Sequence, residues 1–369
     1  MSTSSAHLRR TSVVTGIAAA AALIVSATAP AAAATHPNHR HHHPADIEYS
    51  QVNLVSDVPG WAAVTDPNLV NPWGLTAGPT TPVWAADNGT GLSTLYLAGD
   101  PPTINPLVVS IPDGAPTGTV FNSTTGFTLS TGGKTGAARF LFATENGELA
   151  GWNPTGTATE AVTVAHSPGA VYKGLALIAD PMAPRLLAAD FHHARIDVFD
   201  ANFQRVTGNH AFRSIGIPHG YAPFNVAVVG DRVLVSYAKQ DRAGKDDVAG
   251  AGHGFVNAYD RSGRFVAHLI RRGALNSPWG MTIAPAGFGG LSGALLVGNF
   301  GDGRIHAYNP WTGRQLATLR NTAGRPLEID GLWALMPGNG TSAATSDVWF
   351  SAGPDDEAHG LLGVLRSAG

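Results

Sequence analysis

The sequence predicts an all-β protein folded as one six-bladed β-propeller, and three observations support this prediction. The composition combines 45 Gly and 25 Pro with 44% hydrophobic and only 13% charged residues, which favours a buried core with many tight turns. A pattern of short strands repeats six times along the chain. The last repeat lacks its final strand, and a matching strand lies at the opposite end of the sequence.

Each repeat begins with a short strand at a glycine or its equivalent. With the reference residues at positions 74, 126, 174, 226, 280 and 331, the spacings are 52, 48, 52, 54 and 51 residues. The six strand starts are Trp73-Gly74-Leu75, Gly126-Phe127-Thr128, Lys173-Gly174-Leu175, Asn225-Val226-Ala227, Trp279-Gly280-Met281 and Asp330-Gly331-Leu332. Such regular spacing is typical of a repeat architecture.

Three further strands follow in each repeat. The second is a continuous apolar run, which suits a strand buried on both faces. These runs cover residues 83–86, 140–143, 186–189, 233–236, 295–298 and 348–351. The third strand alternates apolar and polar residues, as in 195–199, and the fourth is represented by segments such as 107–111 and 265–269. Four strands in about fifty residues is the pattern of a propeller blade.

The two ends of the chain predict how the ring closes. The sixth repeat stops after its third strand at 361–365, whereas residues 48–55 precede Asn71-Pro72-Trp73 just as 265–269 precede Ser277-Pro278-Trp279. We therefore expect the N-terminal strand to be the outer strand of the last blade, which removes the open edges of the array. The alternatives are a seven-bladed ring with one degenerate unit and a pair of β-sandwiches.

Residues 1–34 have the features of a signal peptide. Arg9 and Arg10 precede an apolar stretch at 13–29, and a run of small residues then favours cleavage near Ala33 or Ala34. The protein is therefore expected to be secreted. A retained membrane anchor is the alternative, and the paired arginines leave both general and twin-arginine export open.

Residues 35–46 form a His- and Pro-rich linker, and the propeller is expected to occupy residues 47–369. The linker is interpreted as a spacer, although its imidazoles could also capture transition metals. The chain contains no Cys, which excludes thiol catalysis and Cys-ligated zinc. A formal charge of -3 provides no basic surface for nucleic acid, and no membrane span is expected in the mature chain.

Several motifs resemble known propellers. The Pro-Trp-Gly starts and the turn at 297–303 resemble the NHL-type propellers, a class that contains lyases, lactonases and binding scaffolds. The segments 236–241 and 246–255, together with Asn71-Pro72-Trp73-Gly74 and His359-Gly360-Leu361, are similar to a family of exported bacterial propellers. This resemblance covers residues 47–366 and implies no established activity. The sequence departs from the members of that family that end in a sorting tail, since it stops at Gly369 without an apolar helix, and release from the cell is expected.

One face of the predicted ring is the candidate site. The starts of the innermost strands and the turns between second and third strands lie at the same end of each blade, where binding residues usually gather. The ligand-binding candidates are Asn71, Trp73, Lys173, His192, Tyr237, Trp279 and Asn299. The metal-binding candidates are Asp87, Asp190, Asn225 and Asp330, whose oxygens would suit Ca²⁺ or Mg²⁺. The alternative is that these Asp and Asn residues cap local turns and that the tryptophans only pack blades.

The large insertion at 239–254 is rich in Asp and Gly and would lie over this face as a lid or a second cation site, or otherwise as a disordered loop. Two functions remain open from the sequence. The first is a secreted binding or scaffold propeller for an extracellular small molecule, glycan or protein. The second is a metal-assisted hydrolase or lyase, similar to the lactonases, that acts on a small molecule at the central channel. No catalytic residue is assigned.

Overall fold

A computed structural model describes residues 48–131, 133–156, 158–208 and 210–368, which form six sheets arranged as the blades of a β-propeller. The predicted signal peptide at 1–34 and linker at 35–46 lie outside the described residues. The all-β, six-bladed fold predicted from the repeats is thus confirmed. Among the residues that the structure describes, no helix is long and apolar enough to cross a membrane.

The strands are numbered along the chain, and the first strand of each blade lies nearest the axis. The two N-terminal strands are β1 (Tyr49–Ser56) and β2 (Val64–Thr65). Blade 1 contains β3 (Pro72–Thr76), β4 (Val83–Asp87), β5 (Leu92–Leu97), β6 (Thr103–Ile104) and β7 (Val109–Ser110). Blade 2 contains β8 (Pro116–Phe121), β11 (Phe140–Thr144), β12 (Glu148–Trp152) and β13 (Val162–His166), interrupted by the hairpin β9 (Thr128–Thr131) and β10 (Lys134–Ala137).

The remaining blades follow in order. Blade 3 contains β14 (Tyr172–Ile178), β15 (Arg185–Asp190) and β16 (Arg195–Phe199). Blade 4 contains β17 (Tyr221–Val229), β18 (Arg232–Lys239), β19 (Gly254–Asp260) and β20 (Phe265–Arg271). Blade 5 contains β21 (Pro278–Ile283), β22 (Leu295–Asn299), β23 (Ile305–Tyr308) and β24 (Gln315–Thr318), with a 3-10 turn at Gly289–Leu291. Blade 6 contains β25 (Leu332–Pro337), β26 (Val348–Ala352) and β27 (Leu361–Ser367).

The N-terminal strand closes the ring as predicted. Strand β1 pairs antiparallel with β27, from Tyr49 opposite Ser367 to Ser56 opposite Leu361, with a bulge between Asn53 and Val55. The order β2-β1-β27-β26-β25 therefore makes blade 6 from both ends of the described chain. This arrangement covers an edge of β27 that would otherwise present unpaired backbone groups.

The innermost strands β3, β8, β14, β17, β21 and β25 each contact the next and close a ring around the axis. Backbones approach closely there: a Cβ at Gly74 would lie 2.5 Å from the Thr117 carbonyl oxygen, and one at Gly280 would lie 2.6 Å from that of Trp333. Glycine is favoured at these positions because a side chain would collide with backbone.

One of the six predicted strand starts is wrong, and in another the predicted ring position is shifted by a few residues. In blade 2 the innermost strand is β8, whose Gly118 packs on Leu175 of β14, whereas residues 126–128 lead into the extra hairpin. In blade 6 the position that packs against Gly280 lies at Trp333 to Leu335 within β25, so Gly331 precedes the strand. In both repeats the predicted glycine lies outside the ring of innermost strands.

The hydrophobic core lies between neighbouring blades. Residues of the second strands are fully or almost fully buried, as the apolar runs predicted. Aromatic stacking joins adjacent blades, as where Trp84 of β4 stacks on Phe140 of β11 with ring centroids 3.9 Å apart. Each blade thus buries its two faces against its neighbours, which rigidly positions the loops at either mouth of the channel.

Candidate functional site

The mouth of the channel at the starts of the innermost strands holds a charged pocket of about 290 Å³. Its walls are formed by Trp73, Glu145, Lys173, Lys245, Asp246, Asp247, Trp333 and Glu357. These residues come from starts of innermost strands and from loops between second and third strands, the two classes of position that the blade geometry predicts to meet.

Lys173 is the centre of the charge network in this pocket. Its Nζ lies 2.5 Å from Glu145 Oε1 and 3.2 Å from Asp246 Oδ1, and its side chain is 3% exposed. Because Glu145 follows β11 of blade 2 and Asp246 lies in the loop after β18 of blade 4, one ammonium joins three blades. Burial alone would raise the pKa of Glu145, but the Lys173 ammonium, together with Asn88 and Lys245, outweighs it and the net pKa is lowered.

Asn71 extends the network to blades 1 and 6. Its Nδ2 donates to Glu357 Oε2 at 2.6 Å, and its Oδ1 accepts from Trp333 Nε1 at 3.0 Å. Asn88, in the turn after β4, accepts from Asn71 at 3.5 Å and donates to Glu145 Oε2 at 3.3 Å. Asn71 has a φ of 46°, a left-handed conformation that asparagine tolerates better than most residues.

A stack of aromatic rings fills the channel beneath the pocket. Trp73 and Trp333 stack with centroids 3.6 Å apart, and Phe300 stacks on Trp333 at 4.0 Å. The Lys173 ammonium lies over the Trp73 ring, 4.8 Å from its centroid, in a cation–π contact. The ring faces are thus occupied by other protein groups, so the tryptophans do not offer an open aromatic floor to a flat ligand.

The insertion at 239–254 forms one wall of the pocket through Lys245, Asp246 and Asp247. Asp241 Oδ1 accepts the backbone N–H of Lys245 at 2.9 Å and that of Asp246 at 3.3 Å, which fixes the tight turn that carries them. Gln240 Nε2 donates to the Phe191 carbonyl at 2.6 Å. These contacts give the segment a defined course, whereas its action as a lid stays a prediction.

Two carboxyl groups of the pocket have raised pKa values. Burial raises the pKa of Asp247, and burial, together with the nearby carboxylates of Glu145 and Asp246, raises the pKa of Glu357. The pKa of Glu357 is raised even though Asn71 donates a hydrogen bond to its carboxylate and Lys173 attracts the charged form. Burial and the neighbouring carboxylates therefore disfavour the charged forms of both groups by more than Lys173 stabilises them.

The structure separates the predicted ligand-binding residues into two groups. Asn71, Trp73 and Lys173 meet at the pocket, and Trp279 lies beneath them with its Nε1 donating to the Lys173 carbonyl at 2.9 Å. The other three candidates, His192, Tyr237 and Asn299, do not line the pocket. Tyr237 is buried with its hydroxyl 2.7 Å from that of Tyr259, Asn299 donates to the Ala274 carbonyl and to Asp302, and His192 is exposed beside Gly244.

The four predicted metal ligands have separate partners. Asp87 is fully buried and accepts from Thr94 at 2.7 Å, and burial raises its pKa well above the ordinary value. Asp190 accepts from His193 and Arg195, at 2.8 and 3.2 Å. Asn225 donates to the Trp279 carbonyl at 2.8 Å.

Asp330, the fourth, is exposed and accepts the Asp355 N–H at 3.0 Å, outside the innermost strand that it was expected to begin. Among the described residues, no three His, Asp or Glu side chains are grouped to share an ion. Metal binding by these four residues therefore stays a prediction.

Sequence reasoning did not assign the six residues that line the pocket beside Trp73 and Lys173. The signal for Trp333 was present, because Trp333-Ala334 matches Trp73-Gly74 once the register of blade 6 is set by β25. Asp246 and Asp247 were seen only as part of the insertion, and Glu145 only as one of many turn residues. Nothing in the sequence distinguished Glu357 from the adjacent Asp355 and Asp356.

No family model matches the chain. Two uncharacterized proteins of Acanthamoeba polyphaga mimivirus, R648 and L690, are each 34% identical over 323 residues, which is 85% of this chain and 78% and 84% of those proteins. A third uncharacterized protein of the same virus, R640, is 28% identical over 215 residues, 39% of its length. The resemblance to NHL-type and exported bacterial propellers stays a prediction.

Solved structures with a similar arrangement include one described as a streptogramin B lyase, with a TM-score of 0.44, 12% identity and coverage of 86% of this chain and 97% of that chain. Another is a nidogen/laminin complex, with a TM-score of 0.46, 12% identity and coverage of 77% of this chain and 84% of that chain. Similarity at this level carries no information about activity.

Proposed function

The chain belongs to the same family as the two mimivirus proteins, and we propose that it is a binding protein that takes a small polar ligand in the charged pocket at the mouth of the channel. The observation that supports this proposal is the pocket itself. A space of about 290 Å³ is lined by six charged side chains and two tryptophans from separate blades. Concave sites with a few convergent polar groups are the usual form of small-molecule sites.

Rigid support favours binding over a purely structural role. A hydrogen-bonded network holds the walls in place before any ligand arrives, and it runs from Trp333 through Asn71, Asn88 and Glu145 to Lys173. A preorganised site loses little entropy when it binds. A structural ion pair alone would not need a cavity, because close packing around the charges would stabilise it as well.

The binding site can be located by comparing how several classes of ligand bind to the wild-type protein and to pocket variants. We would screen amines, neutral sugars and carboxylic acids by saturation-transfer NMR against the wild-type protein, Asp247→Asn and Lys245→Ala. Asp356→Asn is the matched control, because it is exposed and next to Glu357 but does not line the pocket. A compound that loses its signal in either pocket variant and keeps it in the control supports the proposal. Signals that are equal in all four proteins would place binding elsewhere.

The alternative function is a metal-assisted hydrolase or lyase. It requires oxygen ligands that meet around one ion, and the separate partners of Asp87, Asp190, Asn225 and Asp330 give it less support than the pocket gives to binding. Calorimetric titration of Ca²⁺ and Mg²⁺ into wild type and Asp330→Asn tests it. Stoichiometric binding that the variant weakens would favour the metal function over ours.

We also propose that the protein acts outside the cell. This rests on the arginines, the apolar stretch and the small residues of 1–34. Mass spectrometry of the protein from culture medium should give an N-terminus near residue 34 or 35. A full-length chain retained in the cytoplasm would contradict export.

A further inference from the structure

The charge of the pocket exceeds what its own residues neutralise. Four carboxylates, Glu145, Asp246, Asp247 and Glu357, face two ammonium groups, Lys173 and Lys245. Lys173 is already paired with Glu145 and Asp246. Among the residues that the structure describes, neither Asp247 nor Glu357 has a salt-bridge partner. A cation is therefore the missing complement of this pocket.

Resting on the proposed function, we propose that the ligand is a small organic cation with several N–H donors, such as a primary amine or a guanidinium compound. Its charged group would lie between Asp247 of the insertion and Glu357 of blade 6, on the side of the pocket that the lysines leave unpaired. Both carboxyl groups are half-buried, so a hydrogen-bonded cation would interact with them more strongly than at an exposed surface.

The shape of the pocket favours an organic cation over a metal ion. Ca²⁺ needs about six to eight oxygen ligands at about 2.3–2.6 Å, which draws carboxylates together. In the described part of the chain no three acidic or histidine side chains are so grouped. A space of about 290 Å³ between the carboxylates instead fits a molecule of several heavy atoms.

The pocket already shows how it holds an ammonium group. The Lys173 ammonium sits between two carboxylates and over the ring of Trp73 at 4.8 Å. A ligand ammonium would use the same kinds of partner, with Asp247 and Glu357 as its carboxylates. A neutral sugar is a poorer fit, since sugars commonly stack on open aromatic faces and those of Trp73 are covered.

An independent observation is that one buried donor of a pocket residue lacks a protein partner. The indole N–H of Trp73, which lines the pocket and is 2% exposed, is buried without a hydrogen-bond partner, whereas those of Trp333 and Trp279 both donate to protein oxygens. An unsatisfied buried donor is costly. We therefore expect the ligand to carry an acceptor, such as a hydroxyl or carbonyl oxygen, beside its cationic group.

Isothermal titration of the purified mature chain with matched probes tests this inference. The probes are putrescine as a diamine, ethanolamine as an amine with an acceptor, 1,4-butanediol as a neutral counterpart, glucose, and succinate as an anion. The proteins are wild type, Asp247→Asn, Glu357→Gln, Lys245→Ala and the control Asp356→Asn. Melting curves establish that each variant is folded, and either of the two carboxylate variants suffices if the other does not fold.

We expect an amine to bind and the diol, glucose and succinate not to bind. Each carboxylate variant should weaken amine binding by about tenfold or more, since one charged hydrogen-bond partner is lost. Lys245→Ala should strengthen it, and Asp356→Asn should leave it unchanged. Affinity should also fall as salt is added, because the interaction is between charges.

Other outcomes separate this inference from the proposed function. Binding of succinate or glucose that Lys245→Ala weakens would overturn the cationic ligand and leave the pocket as the binding site. Amine binding that is equal in all five proteins would overturn the cationic site, because the contact would be nonspecific. If no probe of any class bound, both the ligand class and the pocket function would be overturned.

Discussion

The two mouths of the channel differ in chemistry although the same six strands form both. At the start of these strands lies the charged pocket around Lys173. At the far ends lies a second cavity of about 420 Å³, whose walls include Leu75, Val120, Leu177 and Leu335. The stacked tryptophans Trp73 and Trp333 line the charged pocket and do not line the second cavity.

This difference shows which positions of a propeller blade can hold functional side chains. Residues within the innermost strands pack against the next strand of the ring, so most of them are small or apolar, and Gly74 lies where a Cβ would meet the Thr117 carbonyl at 2.5 Å. Residues at the strand starts lie beside long loops and escape this constraint. Charge is therefore concentrated at one mouth, where loops such as 239–254 supply further carboxylates.

The largest effect is expected from removing the central ammonium of the charged mouth. In Lys173→Met the buried carboxylate of Glu145 loses its ion pair, and we expect the free energy of unfolding to fall by about 3 kcal/mol. Urea denaturation measures this free energy of unfolding. The control Lys245→Met removes an exposed lysine from the same pocket and should cost no more than about 0.5 kcal/mol.

A second variant checks the cause of that loss. Adding Glu145→Leu to Lys173→Met removes the unpaired charge and should restore part of the stability. The two substitutions could instead destabilise the protein additively, with the double variant less stable than Lys173→Met by the full cost of Glu145→Leu alone. The ion pair would then not be the source of the lost stability. Equal stabilities of Lys173→Met and Lys245→Met would contradict the central role of Lys173.

Substitutions at the second cavity, which Leu335 lines, should change the stability of the protein and leave binding at the charged pocket unchanged. Leu335→Ala removes a side chain that is 6% exposed and packs against Gly280 and Gly298, and we expect a loss of about 2 kcal/mol. Binding of an amine at the charged mouth should stay unchanged, because Leu335 does not line that pocket. The half-buried Val228 at the same mouth provides the control, as Val228→Ala should cost less. A loss of amine affinity in Leu335→Ala would show that the two mouths are coupled.

How far the sequence predicts these two regions depends on whether a feature is local. The apolar second strands and the closing strand β1 were predicted correctly, because each blade has one such run and only one strand was missing at the C-terminus. The second innermost strand was misplaced and the ring position of the sixth was shifted, since Gly126 and Gly331 resemble the ring glycines in sequence and differ only in what lies opposite them.

The site was predicted as a face and only partly as a set of residues. Asn71, Trp73 and Lys173 belong to strand starts, which the repeat identifies. Glu357 and Asp247 lie in loops without a repeat, and their proximity to the axis depends on loop conformations that no local pattern encodes. For the same reason the sequence could not tell Glu357 from Asp356, its exposed neighbour.

The smallest expected effect compares two glutamates within the charged mouth. Both start from an ordinary pKa of 4.5, which the fold lowers for Glu145 and raises for Glu357. A lowered pKa means that the unfolded chain binds the proton more tightly, so Glu145 stabilises the fold above pH 4.5 and this contribution is lost as the pH falls through its folded pKa. A raised pKa has the opposite sign, so Glu357 costs stability as the pH rises from 4.5 through its folded pKa.

The two variants Glu145→Gln and Glu357→Gln should therefore move in opposite directions. At about pH 7 we expect Glu145→Gln to be less stable than wild type and Glu357→Gln to be equally or more stable, each by about 1 kcal/mol or less. Urea denaturation between about pH 4 and pH 7.5 should show both differences shrinking toward the acidic end. If both variants lost stability at neutral pH by the same amount, Glu357 would be neutralised in the fold as Glu145 is. The uncompensated negative charge that calls for a cationic ligand would then be absent.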